Sequence, residues 1–300
     1  MIADIDFIKL SGSGNDFICI DNRDGRFDGL VSSGEVGHFA RTLCHRGMGV
    51  GADGIVFAES TDILPEVNIF SRFFEPDGSE AELCGNGAAC FIYWVTNNGW
   101  TGDGEVHVLT AAGVVRGQRT DTRYVRVCLP LPEDMATDLE LTVDGRNWNC
   151  DYLLVGVPHA VTYVPDVEDI EVSHWGRLLR HHERFAPRGA NVNFVQVIGE
   201  GEIAVRTFEF GVEAETLACG TGSAAAAILT ARRFNWPRKY LTEAEPVRIR
   251  ARSGDVLKVW ATLHDDGTFT DVCLETLVRG VCSGRLDPEL AAEALGRSGG

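Results

Sequence analysis

Short runs of apolar residues recur along most of the chain, bounded by Gly, Asn, Asp and Pro as β-strands are. They predict strands at residues 17–20, 54–57, 106–109, 124–129, 152–157, 192–198 and 247–251. Apolar residues at helical spacing occur in fewer places. They predict helices at residues 87–97, 175–182, 222–234 and 286–295. Many strands with few helices predict an α+β fold.

The two halves of the chain contain similar segments. Residues 80–95 and 213–230 share an acidic start, a Cys-Gly-x-Gly turn and a helical run rich in small residues. Upstream, residues 9–20 and 153–164 occupy corresponding places. The sequence therefore predicts one structural unit used twice, with the break in the Pro-rich acidic stretch 129–138.

Composition narrows the class of protein. Among the 300 residues, 44% are hydrophobic and 24% charged, as in globular proteins, and the formal net charge is −17. That charge argues against nucleic acid and anionic lipid as partners. The apolar runs are too short to span a bilayer, and no secretory signal is visible at the N-terminus. We expect a cytoplasmic protein with a small-molecule substrate, and a homodimer is one option for its assembly.

Two of the nine cysteines stand out. The chain contains no CxxC pair, so we expect no metal site. Most of the cysteines lie in apolar runs and are expected to be reduced and buried. Cys84 and Cys219 differ, because each precedes a glycine turn that opens a helix.

A cysteine at a helix N-terminus lies beside amide groups that have no intrahelical partner and beside the positive end of the helix dipole. This environment favours the thiolate and binds a carboxylate. If the repeat packs about a pseudo-two-fold axis, Cys84 and Cys219 flank one small anion. Two thiols on opposite faces of an α-carbon can remove its proton from one face and return it on the other. This chemistry inverts an amino acid and needs no cofactor.

Cysteines in such a motif have other uses. A single Cys-Gly-x-Gly is more often a tight turn with a buried cysteine than a catalytic site. Two close cysteines can also form a redox disulfide, but the duplicated glycine turns would then have no purpose. A thiol hydrolase needs one cysteine with a histidine base and gives no role to the second.

The chain resembles the diaminopimelate epimerases, a family of cofactor-independent two-cysteine racemases and epimerases. The resemblance covers nearly the whole length and rests on KLSGSGNDFICID (9–21), HRGMGVGADGIV (45–56), PDGSEAELCGNG (76–87), GVPHAV (156–161), ANVNFV (190–195) and ETLACGTG (215–222). It implies two similar domains, each a curled, mostly antiparallel sheet around a central helix, related by a pseudo-two-fold axis. It also implies that the strand near 277–286 returns to the first domain. The expected domains are therefore 1–128 with 277–300, carrying Cys84, and 129–276, carrying Cys219.

The resemblance also implies roles for single residues. The acid/base pair and its polarising partners would be Cys84, Cys219, His159 and Glu209. The reacting end of the substrate would be held by Asn15, Gly85, Asn86, Gly220 and Thr221. One residue is added between Glu209 and Cys219 relative to the family, so Glu209, Glu213 and Glu215 all remain open as the partner of the second cysteine.

The sequence departs from the family where the far end of diaminopimelate would bind. Glu75 and Val157 stand where the family has Asn, and Phe210 stands where it has Arg. Ala89 replaces a second Arg, and Asn191 alone is kept. These changes favour a basic or aromatic amino acid, such as histidine, as the substrate. The alternative is a genuine diaminopimelate epimerase of lysine and peptidoglycan biosynthesis, with Arg72 or Arg206 replacing the lost arginine.

The sequence thus predicts an amino acid racemase or epimerase that acts by two-base proton transfer. A non-catalytic amino-acid-binding or redox protein on the same fold is the alternative from another class. An isomerase that uses carboxylate bases is a third interpretation, but the presence of both cysteines counts against it.

Overall fold

The computed structural model describes residues 4–64, 67–81, 85–102 and 104–297. The chain divides into two compact units, the first formed by Met1–Val127 with Leu277–Gly300 and the second by Cys128–Thr276. The division expected from the sequence differs from this one at residue 128 only. That these units are independent folding domains stays a prediction.

The first part of the chain is mostly strand, with three helices among its described residues. Its elements are β1 (Asp6–Gly12), β2 (Asn15–Asp21), α1 (Asp28–Ser32), α2 (Val36–Cys44), β3 (Gly54–Leu64), β4 (Val67–Phe74), β5 (Glu80–Ala81), α3 (Gly85–Asn97), β6 (Glu105–Thr110), β7 (Gly113–Arg119) and β8 (Tyr124–Cys128). The predicted helix at 87–97 lies within α3.

The second part of the chain has a similar succession, with short 3₁₀ turns at Glu183–Phe185 and Arg238–Leu241. Its elements are β9 (Glu133–Val143), β10 (Arg146–Val155), β11 (Val157–Tyr163), α4 (Val172–Arg180), β12 (Asn191–Gly199), β13 (Glu202–Glu209), β14 (Ala214–Thr216), α5 (Gly220–Arg233), β15 (Val247–Arg250), β16 (Val256–Leu263), β17 (Phe269–Arg285) and α6 (Pro288–Ala294). The second half of β17 pairs with β1.

Two sequence-based assignments were wrong in detail. The single strand predicted at 152–157 spans the end of β10 and the start of β11, because Gly156 turns the chain at φ +68°. The linker predicted at 129–138 overlaps β9, which begins at Glu133. Its acidic residues lie largely on the surface of that strand, so their polarity did not mark a loop.

Strand pairing follows the same order in both units. In the first, β1–β2, β3–β4 and β6–β7 are antiparallel, whereas β2–β3 and β4–β6 are parallel. In the second, β10–β11, β12–β13 and β15–β16 are antiparallel, whereas β11–β12 and β13–β15 are parallel. The predicted repeat therefore extends to the connectivity of each mostly antiparallel sheet. The pseudo-two-fold relation between the units stays a prediction.

Each sheet packs against one buried helix. In the first unit, α3 contacts β1, β2, β3, β4 and β7. In the second, α5 contacts β10, β11, β12, β13, β15 and β16, and its residues 224–229 are all buried. A helix that is apolar on every side must be enclosed, and the alanines of α5 let the strands approach it closely. Within the described residues, no helix has the length and hydrophobicity needed to cross a bilayer.

One cysteine pair differs from expectation. Cys128, at the end of β8, and Cys273, in β17, form a disulfide. The sequence predicts that most cysteines are reduced, and this pair is an exception because β8 pairs with β17 and brings the two residues side by side. The free cysteines of the described residues are Cys19, Cys44, Cys90, Cys150, Cys219 and Cys282.

Candidate active site

Cys219 caps the N-terminus of the central helix of the second unit. Its backbone is extended (φ −113°, ψ 114°), and its Sγ accepts a hydrogen bond from the Gly222 amide at 3.4 Å. The Thr221 hydroxyl lies 3.6 Å from the same sulfur. A residue larger than glycine does not fit at position 222 without a shift, because its Cβ would lie 2.4 Å from Asn193 Oδ1. The glycine turn therefore brings a backbone donor to the sulfur, as the sequence predicted.

The net effect on the thiol is the opposite of the one expected. Burial raises the pKa of Cys219 well above its usual value, and the negative charge of Glu209 raises it further. The hydrogen bonds from Thr221 and Gly222 lower it, but by less. The prediction that the helix N-terminus would favour the thiolate was wrong, because burial has the larger effect on a thiol that is only 9% exposed. In this structure Cys219 is therefore a thiol at neutral pH.

The structure separates the three candidate glutamates. Glu209, the last residue of β13, hydrogen-bonds Cys219 and accepts a bond from Thr216 Oγ1 at 2.7 Å. Glu213 is instead paired with Arg180, with Nε and Oε1 2.5 Å apart. Glu215 takes both of its close contacts from Arg206, at 2.6 and 2.7 Å. Among the three, the geometry leaves Glu209 as the neighbour of the thiol.

His159 is completely buried in β11. Its Nε2 lies 3.0 Å from Thr221 Oγ1, and its Nδ1 lies 3.4 Å from Asn193 Nδ2. Burial lowers the pKa of this imidazole to about 3, so the ring is neutral at physiological pH. The sequence predicted His159 and Thr221 as site residues but not Asn193, although the motif ANVNFV contains it two residues after Asn191.

The residues expected at the far end of the substrate form a second group in the same unit. Asn191 Oδ1 accepts the Phe210 amide at 2.9 Å, and half-buried Val157 begins β11. Two guanidinium groups lie near the ring of Phe210, with their central carbons 5.3 Å (Arg180) and 5.9 Å (Arg188) from its centroid. Arginine is therefore present at this position in space although it is absent at position 210.

In the first unit, Asn15 and Asn86 are joined directly. Asn86 Nδ2 donates to Asn15 Oδ1 at 2.6 Å, and Asn15 Nδ2 lies 3.5 Å from Asp53 Oδ2. Gly85 and Asn86 are the first residues of α3, so their amides belong to the helix N-terminus. Cys84 lies outside the described residues.

Glu75 lies in the turn between β4 and β5. Its amide donates to the Ser79 carbonyl at 2.9 Å, and its own carbonyl accepts from Gly78 at 2.9 Å. Glu75 belongs to the first unit, whereas Phe210 and Val157 belong to the second.

A charged cluster behind Asn15 was not predicted as part of a site. Arg46 bonds both Asp16 and Asp53, at 2.5 and 2.8 Å, and Lys9 Nζ lies 2.8 Å from Asp16. These contacts fix the segment 45–53 against β2 and lower the pKa of Asp16. The motif HRGMGVGADGIV could have indicated this cluster, since it contains both Arg46 and Asp53.

Comparison with known proteins identifies the family of the chain. The model of the diaminopimelate epimerase family matches residues 7–127 and 152–271. Diaminopimelate epimerase of Aquifex aeolicus is 40% identical over 289 residues, covering 95% of this chain and 99% of the relative. That of Methanothrix thermoacetophila is 39% identical over 287 residues, covering 91% and 99%. The chain belongs to the diaminopimelate epimerase family.

Solved structures of the same fold lie further away in sequence. A hydroxyproline epimerase of Agrobacterium vitis, solved with trans-4-hydroxy-L-proline, superposes with a TM-score of 0.67 at 14% identity, covering 95% of this chain and 91% of that one. A phenazine biosynthesis protein of Bacillus anthracis has a TM-score of 0.67 at 13% identity, covering 95% and 99%. These likenesses establish the fold shared by the diaminopimelate epimerase family.

Membership of the diaminopimelate epimerase family makes the protein an isomerase that acts on an amino acid. The resemblance to this family that the sequence motifs indicated is thereby confirmed. Within the described residues, no three His, Cys, Asp or Glu side chains are grouped as a metal site would require.

Proposed function

We propose that the protein is a diaminopimelate epimerase, which interconverts LL- and meso-diaminopimelate in lysine and peptidoglycan biosynthesis. The observation that carries this proposal is the 40% identity to the diaminopimelate epimerase of Aquifex aeolicus over 99% of its length. A cytoplasmic location and a homodimer stay predictions.

The proposed chemistry moves one proton across the substrate. The thiolate of Cys84 takes the α-proton from one face, and the Cys219 thiol donates its proton to the opposite face. One C–H bond breaks and another forms, so Cys84 ends as the thiol and Cys219 as the thiolate. The raised pKa of Cys219 supports its starting role as the acid. Amides at the start of α5, those of Gly220 and Thr221, would stabilise the negative charge that develops on the substrate carboxylate.

Glu209 would act on the second cysteine only. Its carboxylate lies against Cys219 and favours the protonated sulfur. His159 would act as a neutral group, because its pKa is lowered to about 3. This arrangement supports a mechanism in which neither residue touches the α-proton itself.

The lost arginine at position 210 need not exclude diaminopimelate. The sequence named Arg72 and Arg206 as replacements, but Arg206 is fully engaged by Glu215 and Arg72 is paired with Glu59 at 3.3 Å. Arg188 is exposed beside Phe210 and, within the described residues, forms no ion pair. Its guanidinium is thus available for a carboxylate, which arginine can bind through two parallel hydrogen bonds.

A second candidate is a racemase of a basic or aromatic amino acid such as histidine, lysine, ornithine or arginine. The specific observation in its favour is the apolar character of Val157 and Phe210, together with the carboxylate of Glu75, where the family has amide and guanidinium groups. An aromatic ring at 210 would stack on a cationic or aromatic side chain.

Chiral chromatography of reaction products separates the two candidates. The reduced protein is incubated with LL-diaminopimelate and with each L-amino acid named above. Formation of meso-diaminopimelate at an enzymatic rate, with the others unchanged, is the expected result. Racemisation of histidine or another basic amino acid in place of diaminopimelate would overturn the proposal and support the second candidate. The Cys219→Ser variant is the control for either reaction.

A further inference from the structure

The buried polar atoms around His159 fix which of its nitrogens carries the proton. Asn193 Nδ2 lies 3.1 Å from the Ala160 carbonyl, which can only accept, so the amide nitrogen must face that oxygen. Asn193 Oδ1 accepts from Thr207 Oγ1 at 2.9 Å, in agreement with this orientation. The second hydrogen of Nδ2 then points to His159 Nδ1, 3.4 Å away. Nδ1 is therefore the acceptor, and the proton of the neutral ring lies on Nε2.

The same reasoning continues to the thiol. With its proton on Nε2, His159 donates to Thr221 Oγ1 at 3.0 Å. The hydroxyl of Thr221 is then free to donate its own hydrogen to Cys219 Sγ, 3.6 Å away. A hydrogen bond to an ionised sulfur is stronger than one to a neutral thiol, so this donor favours the thiolate.

We propose that Asn193 and Thr221 are positioning residues of the second cysteine, forming with His159 a directed chain of donors that ends at Cys219. This chain of hydrogen-bond donors favours the thiolate of Cys219, whereas Glu209, which also faces this sulfur within the described residues, favours the thiol. Its consequence is that a hydrogen-bond donor is already in place when the sulfur becomes a thiolate, as the reverse reaction requires. The effect on turnover rests on the proposed function. The chain of hydrogen-bond donors does not.

Alkylation of Cys219 tests the chain of hydrogen-bond donors without any substrate. Thr221→Val has the same shape and lacks the hydroxyl, whereas Thr221→Ser keeps it. Loss of one hydrogen bond to the thiolate should raise its pKa by about one unit, which lowers the alkylation rate at pH 8 about tenfold. The rate is followed by mass spectrometry of the Cys219 peptide. We expect a slow rate for Thr221→Val and a rate near wild type for Thr221→Ser.

Cys282 serves as the internal control, because it is free, exposed and remote from α5 in the chain. Its alkylation rate should be the same in all three proteins. An unchanged Cys219 rate in Thr221→Val, or an equally slow rate in Thr221→Ser, would overturn the proposal. Because no substrate is used, this result is independent of whether diaminopimelate is turned over.

The protonated nitrogen of His159 can be read directly in the wild-type protein. Two-bond ¹H–¹⁵N spectra of histidine-labelled protein distinguish the two neutral tautomers, and His159→Gln assigns the signal. We expect the Nε2–H form, with no titration between pH 5 and 9. A signal from the Nδ1–H form, or a titration in that range, would contradict the proposed chain of hydrogen-bond donors even if Thr221→Val failed to fold.

Discussion

At the scale of single residues, three neighbouring glutamates have different surroundings. Glu213 and Glu215 are each neutralised by an arginine, whereas Glu209 lies against the thiol of Cys219. A carboxylate that is satisfied by a guanidinium has little capacity left to tune a neighbouring thiol. The difference lies in the partners of the glutamates and not in their spacing along the chain.

This difference predicts the effect of two matched variants. Glu209→Gln should lower kcat about 100-fold or more, because it removes the charge that favours the protonated Cys219. Glu213→Gln should stay near the wild-type rate, since its side chain is partly exposed and bonds Arg180. Steady-state kinetics of both variants checks this. Equal losses in the two would argue against a special role for Glu209.

His159 predicts a pH dependence of stability. Its pKa is lowered from 6.5 to about 3 in the folded state, so below pH 6.5 the unfolded chain binds a proton that the folded chain does not. Stability from this residue is therefore fully present above pH 6.5 and is lost as the pH falls toward 3. At pH 5 the loss should be about 2 kcal/mol.

Urea unfolding of the wild type and of His159→Gln at pH 7 and pH 5 measures this loss. Gln keeps a polar side chain but does not titrate, so the wild type should lose about 2 kcal/mol more than the variant on acidification. The same loss in both proteins would mean that His159 is protonated in the folded state.

Arg188 predicts a change in substrate binding. If its guanidinium holds the second carboxylate of diaminopimelate, Arg188→Gln should raise KM about tenfold or more with a smaller effect on kcat. Arg184→Gln, an exposed arginine of the same segment, is the control and should leave KM unchanged. A wild-type KM for Arg188→Gln would assign the far carboxylate to another group.

At the scale of secondary structure elements, the start of α5 depends on one missing side chain. Gly222→Ala would place a Cβ 2.4 Å from Asn193 Oδ1 and 3.2 Å from Cys219 Sγ. We expect a loss of about 1–3 kcal/mol in stability from this overpacking, together with a fall in activity. Thermal unfolding and kinetics measure both.

Gly29→Ala in α1 is the matched control, because a Cβ there meets no atom within 4 Å. It should leave activity unchanged and stability unchanged or slightly higher. A Gly222→Ala protein as stable and active as Gly29→Ala would show that the helix start can relax around the added methyl group.

Several elements could be predicted from the sequence, and the reason is local. The helix α5 is buried on every side, and the strand β12 contains a short run of apolar residues between polar ones, so both patterns were recognised without tertiary information. Helix α2 was missed although Val36, Phe39 and Leu43 are buried at helical spacing. Gly37 and the glycine-containing turn before it concealed that pattern.

The site was predicted only in part. Cys219, Thr221 and Asn191 lie where their motifs suggested, at the start of α5 and of β12. Asn193, Arg180 and Arg188 could not be predicted, because their contacts with His159 and Phe210 depend on strand register and on a loop. The raised pKa of Cys219 depends on burial, which no local motif specifies.

At the scale of the whole molecule, the two units have the same order of strands, and each unit contains one buried helix. Each unit contributes a glycine-opened helix, α3 in one and α5 in the other. A reaction that needs two acid/base groups of the same kind suits a duplicated fold of this kind. The repeat therefore connects the architecture with the proposed two-cysteine chemistry.

The most direct test of that chemistry is proton NMR of the reduced protein in D2O with LL-diaminopimelate, histidine, lysine, ornithine and arginine together. Each reversal at an α-carbon replaces its proton by deuterium from the solvent-exchanged thiols. We predict that the α-proton signal of diaminopimelate decays while the other four persist, and that Cys219→Ser abolishes the decay. Persistence of the diaminopimelate signal in folded, reduced protein would contradict the proposed function.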